Sequence, residues 1–395
     1  MALVSILTIQ PFKGIYVGCA ALGLLFIRIP YWTLRNLFPS WRPRASWTIR
    51  RCIDVNMTRY MMGLGNQVGG LEHYPSYKEL KVGNGVNGVW IDAVPELITG
   101  DLKKWADTAS IESIKIPGYW YHKTGEQINM DEAAKSDEKV ILDFHGGGYM
   151  ALSAHPSSSV SLVVRTVLAH SPSVRRALSV EYRLAAPGAN SFPAQLIDGL
   201  AGYAYLVRKL GFKPENIILV GDSAGANLAL ALTRYLITHS SSLDPQLGKP
   251  GGLVLLSPWV DLTTSHATPG ASVYANTTSD FLGSPPAKGP DFPSTVLAGP
   301  HGQSFLSNEY ISPATRLNSS VSFKDFPRSI VVLGDAETLV DSIRTLEERM
   351  VKDMGKENVA IYEAKDAFHD FIGFDFFEPQ RTEAAVEIGK WIGGL

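Results

Sequence analysis

Gly221-Asp222-Ser223-Ala224-Gly225 sets a serine hydroxyl between flanking glycines. Just before it, Ile217, Ile218, Leu219 and Val220 form a wholly apolar run. Such a run suits a parallel strand buried on both faces. Asn227 to Leu236 is apolar almost all round and reads as a buried helix. Strand, tight turn and helix are the setting of a nucleophile elbow, in which strained backbone lifts the hydroxyl out of the turn. A Cβ at either flanking glycine would meet the crossing strand or helix. The helix start beneath Ser223 also offers free N–H groups and a positive dipole end to a developing oxyanion. Taken alone, the same composition fits an ordinary strand-to-helix turn.

The other parts of an acyl-transfer site lie elsewhere in the chain. His145-Gly146-Gly147-Gly148-Tyr149 follows the apolar run Val140 to Phe144. Successive glycines let backbone approach a ligand closely and aim N–H groups at it. Gly147, Gly148 and Ala224 are therefore the expected oxyanion donors, with His145 and Gly146 as loop support. His145 is read as a structural ring that anchors the loop. Asp222 is read as a residue that caps the helix or fixes a loop.

A serine hydroxyl needs a base to take its proton and a carboxylate to orient that base. His369 is the only histidine after the apolar run Ser329 to Leu333, and it follows the run Val359 to Glu363. Three carboxylates compete to be the acid: Asp335, Glu337 and Asp341. Glu337 is preferred. Asp335 and Asp341 also suit the start of a helix, where a negative charge complements the macrodipole.

Positioning these groups requires a sheet whose strands all end at one rim. Apolar runs at 140–144, 177–182, 217–220, 253–256, 329–333 and 359–363 alternate with helical patterns. That alternation predicts an α/β fold, with a mostly parallel central sheet covered by helices on both faces. Ser113 to Tyr121 reads as a further strand, placed at an edge or bend by Pro117. Residues 262–322 break the alternation and are rich in Ser, Thr, Pro and Gly. A long irregular stretch inside a domain reads as a lid or cap insertion. Asn56 to Gly70 reads as a short helix and loop, with Gly-Asn turns at 83–88.

Totals narrow the function. The chain has 395 residues, 36 Lys and Arg against 38 Asp and Glu, and a formal net charge of −2. No basic run suggests nucleic acid. With only two cysteines, Cys19 and Cys52, no disulfide framework is indicated. The chemical groups singled out above call for no metal and no cofactor.

The N-terminal region is different. Gly14 to Ile27 carries no charge and is bounded by Lys13 and Arg28. Trp32, Trp41 and Trp47 follow among Arg35, Arg42, Arg44, Arg50 and Arg51, a pairing suited to a membrane interface. The preferred reading is a membrane anchor, spanning or monotopic; a cap helix and a cleaved signal peptide are the alternatives. The uncharged core is shorter than the roughly 20 residues of a spanning helix. An endomembrane location such as the endoplasmic reticulum follows, on a side that the signals dispute. Basic residues after the apolar run put the body in the cytosol. The sequons at Asn56, Asn276 and Asn318 would be glycosylated only in a lumen. The chain thus divides into an anchor at 1–30, an N-terminal cap region at 31–110 and a catalytic domain at 111–395.

HGGGY, GDSAGANLA, EYRLA, SPWVDL, DAETLVDS and AFHDF together resemble the hormone-sensitive lipase family of α/β-hydrolases, over about residues 110–395. The resemblance implies Ser223 as nucleophile, Gly147 and Gly148 as oxyanion glycines and His369 as base. The family's acid lies in a D-x-L-x-D/E pattern; Glu337-Thr-Leu339-Val-Asp341 matches, with Glu in the acid's place. Ala226 departs from a frequent glycine. The apolar N-terminus is similar in layout to the membrane-anchored arylacetamide deacetylase branch. The implied activity is hydrolysis of an ester, including acetyl esters, of an apolar small molecule. An acyltransferase or lyase on the same site, and a non-catalytic ligand-binding protein on the same fold, are the alternatives.

Overall fold

The computed structural model describes residues 6–83, 85–123, 125, 129–130, 132–286 and 289–395. The expected turn at 83–88 includes Asn84, the anchor includes residues 1–5 and the insertion includes residues 287–288; these lie outside the described residues. The helices are α1 (Phe12–Gly23), α2 (Ile29–Arg35), α3 (Ile49–Val68), α4 (Gly100–Ala109), α5 (Ser161–His170), α6 (Ala194–Ala204), α7 (Ala224–Thr238), α8 (Ser272–Ala275), α9 (Phe292–Ala298), α10 (Val340–Met354) and α11 (Gln380–Gly393). The strands are β1 (Asn87–Ile91), β2 (Ile116–His122), β3 (Lys139–Phe144), β4 (Val174–Val180), β5 (Ile217–Asp222), β6 (Gly252–Leu256), β7 (Ser329–Gly334) and β8 (Val359–Ala364).

One sheet runs in the order β1-β2-β4-β3-β5-β6-β7-β8. β1 and β2 are antiparallel to their neighbours, and β3 to β8 are parallel. Period-two alternation divides the core. Ile217 and Leu219 face a layer with α6, α7 and α10, while Ile218 and Val220 face one with α3, α5 and α11. Both faces are covered, which is why the central strands read as unbroken apolar runs.

Several expectations change. Pro117 lies in β2, which pairs on both sides and so is not an edge. The proline is tolerated because Gly118 already faces Val180, the last residue of β4. Pro117 pairs with Trp90 of β1, and on the β4 side it lies past the ladder, where its carbonyl accepts the Glu181 N–H (3.0 Å) and no ladder bond calls for an N–H of its own. β4 ends at Val180, short of the expected Tyr182, because Glu181 turns inward to accept hydrogen bonds from Ser153 Oγ (2.6 Å) and Ala154 N (2.8 Å). The short helix expected at 56–70 is the twenty-residue α3. Its ends are capped by Thr48, whose hydroxyl accepts the Arg51 N–H, and by Gly69 at φ 71°.

The apolar segment also exceeds its uncharged core. Phe12 to Arg35 forms one helix of 24 residues with no residue buried. It passes Pro30 through a wide π turn at Leu24–Arg28, where the Ile29 N–H reaches Leu24 O. One side of this helix lies on α3. Lys13 Nζ donates to Gly70 O (2.8 Å), Tyr16 OH to Gln67 Oε1 (2.6 Å) and Tyr60 OH to Ala20 O (3.2 Å), and the Arg28 guanidinium sits 4.5 Å over the Tyr60 ring. α3 in turn is tied to the body. Arg59 donates to the carbonyls of Thr277, Thr278 and Asp280 in the insertion, and Arg51 to those of Phe376 and Glu378.

Candidate active site

Ser223 sits between β5 and α7 with φ 50° and ψ −113°. Side chains avoid this region, and holding one there costs about 1–3 kcal/mol. The surroundings enforce it. Ser223 N donates to Leu256 O (2.9 Å), and Ser223 O accepts from Trp259 N (3.1 Å) and Asn227 N (3.2 Å). Crossing backbone is close enough to exclude any Cβ at the flanking glycines. One on Gly221 would lie 2.3 Å from Gly225 C, and one on Gly225 would lie 1.8 Å from Phe144 O.

That second contact joins the elbow to the glycine loop, which leaves the end of β3. Gly147 and Gly148 have φ of 106° and 60°. Among the described residues, no acceptor takes the N–H groups of Gly147, Gly148 or Ala224. Asn227 ties the parts together: its Nδ2 donates to Trp259 O (2.9 Å) and Ile311 O (2.7 Å), and its Oδ1 accepts from Tyr149 OH (2.8 Å). His145 stacks on Tyr182 at 4.3 Å, and its Nδ1 lies 2.7 Å from Gly146 O. Burial lowers its pKa to about 4, so the ring is neutral near pH 7. Asp222 lies against the glycine loop: the Gly146 N–H hydrogen-bonds its carboxyl, and a Cβ at Gly146 would collide with its Oδ2.

The loop after β7 brings Glu337, not Asp335 or Asp341, to the histidine. Glu337 Oε2 is 2.8 Å from His369 Nδ1, and Oε1 accepts from Gly334 N (3.0 Å). Asp335 Oδ1 accepts from Asp366 N (2.6 Å), and Asp341 Oδ2 from Ser272 N (2.7 Å). Both carboxylates are spent on loop and helix starts. Burial pushes Glu337 up to about 7, against the pull of His369. Burial alone would lower His369, but Asp370 and Glu337 outweigh it and hold the ring well above its ordinary value.

Four groups here escaped the sequence reading. Ser257, in SPWVDL, donates to Glu337 Oε1 (3.3 Å) and accepts from Asp370 N (3.0 Å), so it links the acid and base loops. Asp280 accepts at Oδ2 from Thr338 N (2.6 Å) and Thr338 Oγ1 (2.9 Å), which fixes the acid loop to the insertion. Phe281 packs 5.6 Å from the His369 ring. Asp370 Oδ2 lies 3.0 Å from His369 Nε2. Among the described residues no hydrogen bond joins that nitrogen to Ser223 Oγ. Of these, only Ser257 and Asp370 stood inside motifs singled out by type.

Two of the three sequon asparagines make internal hydrogen bonds. Asn276 Nδ2 donates to Glu337 O (2.8 Å) and Asp335 O (3.2 Å), and Asn56 Nδ2 to Cys52 O (2.7 Å) within α3. A glycan on either nitrogen would displace these internal bonds. Asn318 sits in a turn among exposed residues, its Nδ2 3.3 Å from Ser307 O.

The site is enclosed. Only 8% of Ser223 and 1% of His369 is exposed.

The alpha/beta hydrolase fold family matches residues 141–373. An esterase of Acinetobacter venetianus is 27% identical over 293 residues, covering 73% of this chain and 83% of its own. An acetyl-hydrolase of Streptomyces hygroscopicus is 28% identical over 274 residues, 69% of this chain and 80% of its own. Among solved structures, a hormone-sensitive lipase from a metagenome library superposes with a TM-score of 0.58 at 24% identity. It covers 87% of this chain and 96% of its own.

Proposed function

The chain belongs to the hormone-sensitive lipase family of α/β-hydrolases, as a carboxylic ester hydrolase, and from that premise we propose that it cleaves an ester, in particular an acetyl ester, of an apolar small molecule through Ser223, Glu337 and His369. The observation that carries the reading is the 2.8 Å bond from His369 Nδ1 to Glu337 Oε2, across loops that follow β8 and β7 beside the strained elbow after β5. Ser223 Oγ attacks the carbonyl carbon and its proton passes to His369 Nε2. The carbonyl oxygen becomes an oxyanion facing the N–H groups of Gly147, Gly148 and Ala224. Each such donor contributes on the order of 3 kcal/mol to lowering the barrier. Collapse expels the alcohol, which takes the proton from His369. Water then adds to the acyl-serine, giving its proton to the same nitrogen, and the acid leaves as Ser223 is restored.

The acid assignment is tested by three isosteric variants. Glu337→Gln faces Nδ1 with an amide that favours the wrong tautomer, and kcat on an activated aryl acetate falls about 10³–10⁴-fold. Asp335→Asn and Asp341→Asn stay within a few-fold of wild type. Retention of full kcat by Glu337→Gln would refute the role.

A membrane location rests on the helix Phe12–Arg35, whose length of 24 residues suffices to span a bilayer. Its packing supports an in-plane seat instead. One side of the helix is held on α3, which carries the charged Arg50, Arg51, Asp54 and Arg59 and is itself bonded to the body, so that side faces protein rather than hydrocarbon. The opposite side leaves Phe12, Ile15, Leu22 and Phe26 exposed for the acyl boundary. With full-length protein on sealed vesicles, a tag at the N-terminal end and the catalytic body should be digested by the same externally added protease. Protection of one with loss of the other would mean a spanning helix.

A further inference from the structure

Asp370 occupies a left-handed backbone position, φ 52° and ψ 33°, which glycine adopts most readily. A side chain here is strained, and such strain clusters at functional sites. The strain is held by its N–H, which donates to Ser257 Oγ (3.0 Å). It aims a carboxylate at the catalytic ring. Oδ2 is 3.0 Å from His369 Nε2, and only 12% of the side chain is exposed. Oδ1 is buried, with no hydrogen-bond partner among the described residues. Glu337 faces Nδ1 at 2.8 Å on the ring's other side. A neutral imidazole has one N–H to give, so a ring between two ionised carboxylates satisfies both only as the imidazolium; burial pushes both carboxyls up, and the His369 cation between them pulls both back down. In that state Nε2 has no lone pair for the serine proton.

We propose that Asp370 is a positioning residue that holds the protonated His369 ring in a resting state turned from Ser223, so that the serine is activated only when this pair opens. The proposal rests on the Ser223, Glu337 and His369 reading. Asp370 and Glu337 are the carboxyls that favour the resting state directly; burial pushes Asp222 well above the carboxylate range and Asp143 up to about 7, so these two add little charge. Glu337 comes from the β7 loop, Asp222 from the end of β5 with Asp143 behind it, and Asp280 from the insertion. The cation on this side, Arg59, bonds the Asp280 carbonyl rather than the ring. The clamp therefore suppresses turnover as pH falls and restrains the serine while no ester is bound.

The test is the pH profile of kcat/KM on a soluble aryl acetate, with the rate of labelling by a fluorophosphonate, for wild type, Asp370→Asn and Asp370→Gly. Glycine fits the backbone at this position, so that variant is safe for folding. Both variants should move the acidic limb down by about one pH unit or more, the usual effect of an adjacent opposite charge. On the wild-type acidic limb, turnover and labelling then rise about tenfold. At the alkaline plateau, Asp370→Gly stays within about threefold of wild type, since Glu337 still orients the ring. An unmoved limb in both variants, or uniform loss of activity at every pH, would overturn the clamp. Wild-type turnover by Ser223→Ala would instead overturn the nucleophile assignment, and the clamp with it.

Discussion

Ser223→Ala is expected to lower kcat/KM on an aryl acetate about 10⁴-fold or more, leaving only what the oxyanion donors and binding supply. Ser223→Gly should be equally inactive yet more stable than wild type. The difference lies in the backbone. At φ 50° and ψ −113° both serine and alanine carry the strain of a side chain, and glycine does not. Relief of roughly 1–3 kcal/mol is partly offset by the extra freedom of glycine in the unfolded chain. A net gain on the order of 1 kcal/mol should appear as a higher urea midpoint at unchanged slope. Alanine, keeping the strain, should unfold close to wild type. If glycine and alanine unfold together, the elbow stores no strain. If Ser223→Ala keeps its turnover, another nucleophile does the chemistry.

The elbow was legible because its signals are local. Four apolar residues, a glycine-flanked serine and an apolar helix follow one another, and each constrains the next. The acid was legible only as a choice of three, because Asp335, Glu337 and Asp341 all follow one strand. Their separation is tertiary: the Asp366 N–H claims Asp335, the start of α8 claims Asp341, and His369 is left to Glu337. The placement of Asp370 against the ring was invisible for a related reason. Its type and place were plain, but its direction depends on a left-handed φ held by Ser257, far away in sequence. Helix α3 was underestimated because it mixes apolar residues with arginines. Arg51 and Arg59 look like a solvated face, yet they end on carbonyls of the C-terminal region and the insertion. Long-range backbone acceptors leave no mark in local periodicity.

Gly225→Ala should be among the most damaging single methyl groups that can be added to this protein. The new Cβ would lie 1.8 Å from Phe144 O, 2.5 Å from Phe144 C and 2.8 Å from His145 O. All three are backbone atoms at the end of β3, where the glycine loop begins, so no rotamer change relieves the contact. Strand and helix must separate, at a cost of about 3 kcal/mol or more. The same movement draws Gly147 and Gly148 away from Ser223. Misplacing one oxyanion donor lowers kcat by about 10²–10³-fold. Any folded fraction should therefore be less stable and also slow, with KM little changed. Gly63→Ala is the matched control. Gly63 lies within α3, and a Cβ there meets nothing within 4 Å. Replacing an exposed helical glycine stabilises by about 0.5–1 kcal/mol, with turnover of a soluble ester unaltered. Opposite signs from one chemical change, read by urea unfolding and steady-state kinetics, would tie the effect to the close approach of elbow and loop. Equal stability and turnover in both variants would mean that the two segments yield to each other, and the oxyanion donors would then need another support.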